Sequence, residues 1–129
     1  MLLRSRRPDL PGPSPLARRY GAAAFALWLL AILFLSLAPA EATLAPELWG
    51  DKVRHALAYF VLTGLGLLAF GPRWTLLVGV LVLGAGVEAA QATMGFGRSG
   101  EWADLVANLS GEALAVALWL VVTRLRRRP

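Results

Sequence analysis

The sequence predicts an all-α protein, a four-helix transmembrane bundle with both termini in the cytoplasm (N-in/C-in). Three observations carry that expectation. The 129 residues are 57% hydrophobic and 16% charged, with a mean hydropathy of +0.60, and a water-soluble domain of this size needs a far more polar surface. The apolar residues fall into four blocks separated by short polar or Pro/Gly-containing breaks, the pattern imposed by a membrane and not by an aqueous core. The arginines cluster at the ends of those blocks, the placement expected for topology signals and not for nucleic-acid contacts.

The first span is expected from Gly21 to Ala38, the second from Val53 to Phe70, the third from Trp74 to Thr93 and the fourth from Asp104 to Thr123. At ~1.5 Å per residue each crosses a hydrocarbon core of ~30 Å. The breaks are Pro39 to Gly50, Gly71-Pro72-Arg73 and Gly95 to Ala103, and the second permits only a tight hairpin. Residues 1–20 are expected to form a disordered basic cytoplasmic tail, because the run from Pro8 to Pro15 is too rich in proline for a helix. Residues 21–123 form the transmembrane domain, and 124–129 a second basic cytoplasmic tail.

Orientation follows from the basic residues. Arg4, Arg6, Arg7, Arg18, Arg19, Arg73, Arg124, Arg126, Arg127 and Arg128 share one side if four spans alternate, against Lys52, Arg54 and Arg98 on the other. Ten against three places the first group in the cytoplasm. Two rival readings of the N-terminus compete with this. Ala38-Pro39-Ala40 resembles a signal-peptidase site, but the preceding apolar block is long and Pro39 suits that site poorly. Arg6-Arg7 resembles a twin-arginine signal, but a proline-rich gap separates it from the apolar block. With no cysteine in the chain, disulfide, thiolate and Cys-based metal chemistry are excluded.

Within the apolar blocks lie polar residues that are costly there, ~2.5–3.5 kcal/mol each at the centre of a span. Asp51, His55 and Tyr59 step by four along span two. Glu88 and Gln91 share a face of span three with Gly84 and Gly95, and Asp104 and Asn108 align with Gly111 on span four. All three polar stripes lie at the outer leaflet, with Arg98 in the loop above and Glu112 ~12 Å below Asp104. The bland alternatives are specific. Asp51 and Asp104 serve as N-caps, and His55 is an interhelical hydrogen-bonder. Tyr59 packs, Lys52, Arg54 and Glu101 mark a boundary, and the tryptophans sit at interfaces, with Trp28 and Trp119 deeper. Gly64, Gly66, Gly79 and Gly86 let helices approach closely. Capping alone does not call for His55, Glu88, Gln91, Arg98 and Asn108 together.

The segment Asp51-Lys52-Val53-Arg54-His55-Ala56-Leu57-Ala58-Tyr59 resembles the D-K-x-x-H-x-x-x-Y/F element of the VanZ-like family. Glu88-Ala89-Ala90-Gln91 resembles its E-x-x-Q element. Arg98, Asp104, Asn108 and Gly111 resemble its R-x(5)-D-x-x-x-N-x-x-G element, over about residues 50–115 in all; Glu112 has no place in the pattern. The resemblance implies a multi-pass protein of the bacterial plasma (inner) membrane and cell envelope. The family takes its name from teicoplanin resistance, and antibiotic resistance is not carried over to this chain.

Three functions are expected to compete. The first is recognition of a membrane lipid or lipid-linked envelope-precursor headgroup, with Asp51, Lys52, Tyr59, Gln91, Arg98 and Asn108 as ligand-binding residues. The second is an enzyme acting on a phosphate-bearing lipid or lipid-linked headgroup, with His55, Glu88 and Asp104 as catalytic groups and Arg98 and Lys52 holding the phosphate. The third is a structural or partner-binding bundle. No cofactor is named by the sequence, and no metal site is expected, because one histidine with separated carboxylates fits no ligand motif, although Asp51 and Asp104 are candidate metal-binding groups within the enzyme hypothesis. Nucleic acid is not an expected partner, homo-oligomer formation is left open, and transport is disfavoured because the polar residues gather at one end.

Overall fold

A computed structural model of the protein describes residues 14–39, 50–95 and 101–127. They form four helices: α1 (Pro15–Leu37), α2 (Asp51–Phe70), α3 (Trp74–Met94) and α4 (Trp102–Arg126). All four are long and apolar enough to cross a membrane, so the chain is a multi-pass membrane protein. Arg98 and most of the expected N-terminal tail lie outside the described residues.

The helices are longer than hydropathy alone marks out. α1 starts at Pro15, not Gly21, so residues 15–20 of the expected disordered tail are helical. The reason is local. Ser14 Oγ accepts a hydrogen bond from the Ala17 N–H at 3.2 Å, and Pro15 occupies the first helical position, where its missing N–H costs nothing. α1 stops at Ala38, before Pro39. α2 stops at Gly71, whose φ of +77° suits glycine, with Pro72 next in sequence. α4 continues to Arg126, which keeps Arg124 and Arg126 in its last turn, where cations complement the helix dipole.

The outside of the bundle is apolar. Leu27, Phe34, Val82 and Leu114 are exposed, as they must be where the solvent is lipid. Trp74 and Trp102, 75% and 80% exposed, stand at helix starts, where an interfacial aromatic belt belongs. Trp28 is different: its indole N–H donates to the Ala58 carbonyl at 2.9 Å and ties α1 to α2. A small apolar core of Ile32, Tyr59, Leu62 and Val80 joins α1, α2 and α3.

Helices α2 and α4 run side by side in the same direction, since Lys52 meets Asp104 at one end and Ala56 and Phe60 meet Gly111 further along. α1 runs against α2, with Gly21 packed on Ala69 and the Phe25 and Phe70 rings edge to face at 5.4 Å. Close approach falls on Gly111, Gly84, Gly66 and Gly21. Of the glycines expected to permit it, only Gly66 does so; Gly64, Gly79 and Gly86 have nothing within 4 Å of a notional Cβ. The sequence places small residues on every face of these helices, so their packing role is decided by helix rotation.

Candidate functional site

The starts of α2 and α4 and the last turns of α3 meet at one end of the bundle. Because Asp51, His55 and Tyr59 are four apart, one face of α2 carries all three towards α3 and α4. The same periodicity turns Asp104, Asn108 and Gly111 on α4 towards α2. Tyr59, Glu88, Gln91, Asp104 and Asn108 are all buried, as is Glu112 on the stripe below.

His55 stands at the centre. Its Nδ1 lies 3.0 Å from Asn108 Oδ1 and 3.7 Å from Glu88 Oε1. Its Nε2 lies 3.9 Å from Asp51 Oδ1 and 4.0 Å from Asp104 Oδ2. One imidazole is thus surrounded by oxygens from three helices. Lys52 closes the site on its outer side. Its ammonium bonds Asp104 Oδ1, donates to Glu101 Oε2 at 2.8 Å and lies 3.6 Å from Asp51 Oδ2. Arg54 donates to Asp51 Oδ1 at 3.1 Å. The Glu101 backbone N–H donates to Glu88 Oε2 at 3.3 Å, joining α3 to the start of α4.

Neither aspartate is an N-cap. Gly50 and Glu101 occupy those positions, with no side-chain capping bond, and Asp51 and Asp104 lie inside the first helical turn. The capping alternative is therefore replaced by interhelical contact: the Asp104 side chain is 6% exposed and engages Lys52 and His55 from α2.

Two expected members stand apart from His55. Gln91 donates to the Ser36 carbonyl of α1 at 2.8 Å, so its amide serves the α1–α3 contact. Tyr59 lies deeper, its ring beside Gly84 and near Asn108. Among the described residues, four buried side-chain atoms have no hydrogen-bond partner: Tyr59 OH, Thr63 Oγ1, Glu88 Oε1 and Asn108 Nδ2. Arg98 lies outside the described residues.

Sequence reasoning missed Glu101 and Thr63. Thr63 continues the four-residue steps of Asp51, His55 and Tyr59 and was recoverable from them. Glu101 precedes its helix, so helical periodicity gives it no partner; its distance of three from Asp104 was the available signal. No family model, no curated protein and no solved structure matches the chain.

Proposed function

We propose that this is a VanZ-like multi-pass protein of a bacterial plasma membrane, with both termini cytoplasmic, that recognises the headgroup of a lipid or lipid-linked envelope precursor at the outer leaflet. The observation that carries this reading is the convergence on His55 of Asp51 from α2, Glu88 from α3 and Asp104 and Asn108 from α4. Polar groups concentrated at one end of a lipid-facing bundle suit a ligand whose polar part lies at the interface and whose tail lies along the helices. An apolar groove between α2 and α4, lined by Val53, Leu57, Phe60 and Leu114 and topped by Lys52, offers such a tail a path. Lys52 is already bonded to Asp104 and Glu101, so a headgroup phosphate has to compete with carboxylates for it.

The test is lipid retention. The protein is purified from native membranes in mild detergent and its bound lipids are identified by mass spectrometry, beside His55→Ala and Asn108→Leu variants. One headgroup class enriched on the wild type and lost from folded variants is expected; equal lipid profiles on all three proteins sink the reading. An enzyme is the second reading, favoured by Glu88 Oε1 lying beside His55 without a hydrogen-bond partner. It requires turnover of a lipid-linked phosphate by the wild type that Glu88→Gln abolishes. If Glu88→Gln and Asn108→Leu lower folded yield alone, the structural reading replaces both.

A further inference from the structure

We propose that Asp51 Oδ1, His55 Nε2 and Asp104 Oδ2 form a binding site for one divalent transition-metal ion of the zinc type. The three atoms come from separate positions on α2 and α4 and all lie within 4.8 Å of one another. The spacing 51, 55, 104 matches no linear ligand motif; helix periodicity and the parallel packing of α2 on α4 create the cluster.

Which imidazole nitrogen carries the proton decides which edge of the ring can bind a cation. Asn108 Oδ1 and Glu88 Oε1 both face Nδ1, at 3.0 and 3.7 Å, and both are acceptors. The tautomer with its hydrogen on Nδ1 donates towards them and presents the Nε2 lone pair on the opposite edge of the ring. That lone pair faces two more acceptors, Asp51 Oδ1 at 3.9 Å and Asp104 Oδ2 at 4.0 Å. Arg54 donates to Asp51 Oδ1 at 3.1 Å; a carboxylate oxygen has a second lone pair, and a cation between the three atoms takes it up and draws the two carboxylates and the ring together. A histidine that binds metal through one nitrogen and donates from the other to a carboxylate or carbonyl is the usual arrangement at zinc.

The burial of Glu88 adds to this. The residue belongs to a third helix, is only 8% exposed, and its Oε1 has no hydrogen-bond partner although it is aimed at the imidazole. A buried carboxylate behind a metal-bound histidine has a defined purpose: it strengthens the ring as a donor and fixes its orientation. Lys52 does not fill the site, because it holds the other oxygens, Asp104 Oδ1 and Asp51 Oδ2.

One nitrogen and two carboxylate oxygens form a borderline donor set, suited to zinc, cobalt or manganese over calcium or copper(I). Zinc bonds of ~2.0–2.2 Å need the three atoms drawn somewhat closer, and the Asp51 side chain, 53% exposed, has room to turn inward. Three protein ligands with an open side leave a position for water or a headgroup oxygen. This inference does not rest on headgroup recognition, since binding of the ion is measured without lipid.

The test uses the full chain, freed of any affinity tag, in detergent. His55 is the only histidine in the sequence, so one 15N-labelled imidazole reports the site without mutation. Added Zn2+ is expected to bind one per chain, to shift the Nε2 resonance and to leave Nδ1 protonated; Co2+ is expected to produce visible d–d absorption. Asp104→Asn is expected to weaken Zn2+ binding at least tenfold, and Asn108→Ala, through the ring it orients, ~10–100-fold. Arg73→Gln at the opposite end is expected to bind as the wild type does. The proposal is overturned if Zn2+ leaves the imidazole resonances unmoved, if both nitrogens stay protonated, which marks an imidazolium held by carboxylates, or if folded Asp104→Asn binds as tightly as the wild type.

Discussion

Gly111 sets how closely α4 approaches α2. A Cβ built there runs into the Ala56 carbonyl, its carbon only 2.8 Å away, and lies 2.9 Å from the Phe60 nitrogen. These are backbone atoms, which cannot swing aside as the end of a side chain can. The Gly111→Ala variant is therefore expected to push the two helices apart and lose ~1–3 kcal/mol of stability or more, the range for forced overpacking. It should also separate Asn108 from His55 one turn above. Gly79→Ala, whose added methyl group meets open space, is the matched control and is expected to leave thermal stability unchanged. Thermal unfolding in detergent, followed by size exclusion, measures both. Equal midpoints for the two variants would refute the close contact. The sequence marks Gly111 through its alignment with Asp104 and Asn108, but it gives no sign that Gly79, equally expected to admit a neighbour, meets open space; the rotation of that helix about its axis decides it.

The elements are unequal in how they are held. α2 and α4 share the Gly111 contact and the Lys52–Asp104 pair, whereas α1 buries a single side chain, Ile32. Its ties among the described residues include the Trp28 indole on the Ala58 carbonyl, the Gln91 amide on the Ser36 carbonyl, the Phe25–Phe70 edge contact and the packing of Gly21 on Ala69. Trp28→Phe keeps most of the ring and removes the donor. Interhelical hydrogen bonds in membranes average ~0.6 kcal/mol and rarely exceed ~1.7, so this variant is expected to cost well under Gly111→Ala and to leave His55 undisturbed. Denaturant titration beside the His55 15N spectrum separates the two effects. A loss as large as that of Gly111→Ala, or a changed His55 signal, would show that α1 supports the site. The polar stripes of these helices were legible in the sequence because an exposed carboxylate or amide is too costly in hydrocarbon to occur at random, so spacing of three and four reveals the inward face. The destination of Gln91 was not legible. It shares a face with Glu88, yet its amide reaches α1, and that choice depends on how far α1 slides along α3.

At the scale of the whole molecule, alternation of four spans makes one end of the bundle hold the start of α1, the α2–α3 turn and the end of α4, and the other hold His55 and its carboxylates. The sequence pointed to this division through the ten arginines expected on one side; of these, Arg18, Arg19, Arg73, Arg124, Arg126 and Arg127 are among the described residues and lie at the first end, while Lys52 and Arg54 at the second are engaged by acids. The proposed N-in/C-in orientation rests on those arginines. The absence of cysteine makes it testable residue by residue. Single cysteines replacing Gly50, Arg73 and Arg127 lie at exposed positions, and Gly50 has nothing within 4 Å of an added Cβ. In intact cells a membrane-impermeant maleimide is expected to label Gly50→Cys and to spare Arg73→Cys and Arg127→Cys, which react only after the membrane is opened. The reverse pattern would turn the molecule over and place the His55 cluster in the cytoplasm. Lipid intermediates presented only at the outer leaflet would then be out of its reach, while the metal-binding geometry would stand unchanged.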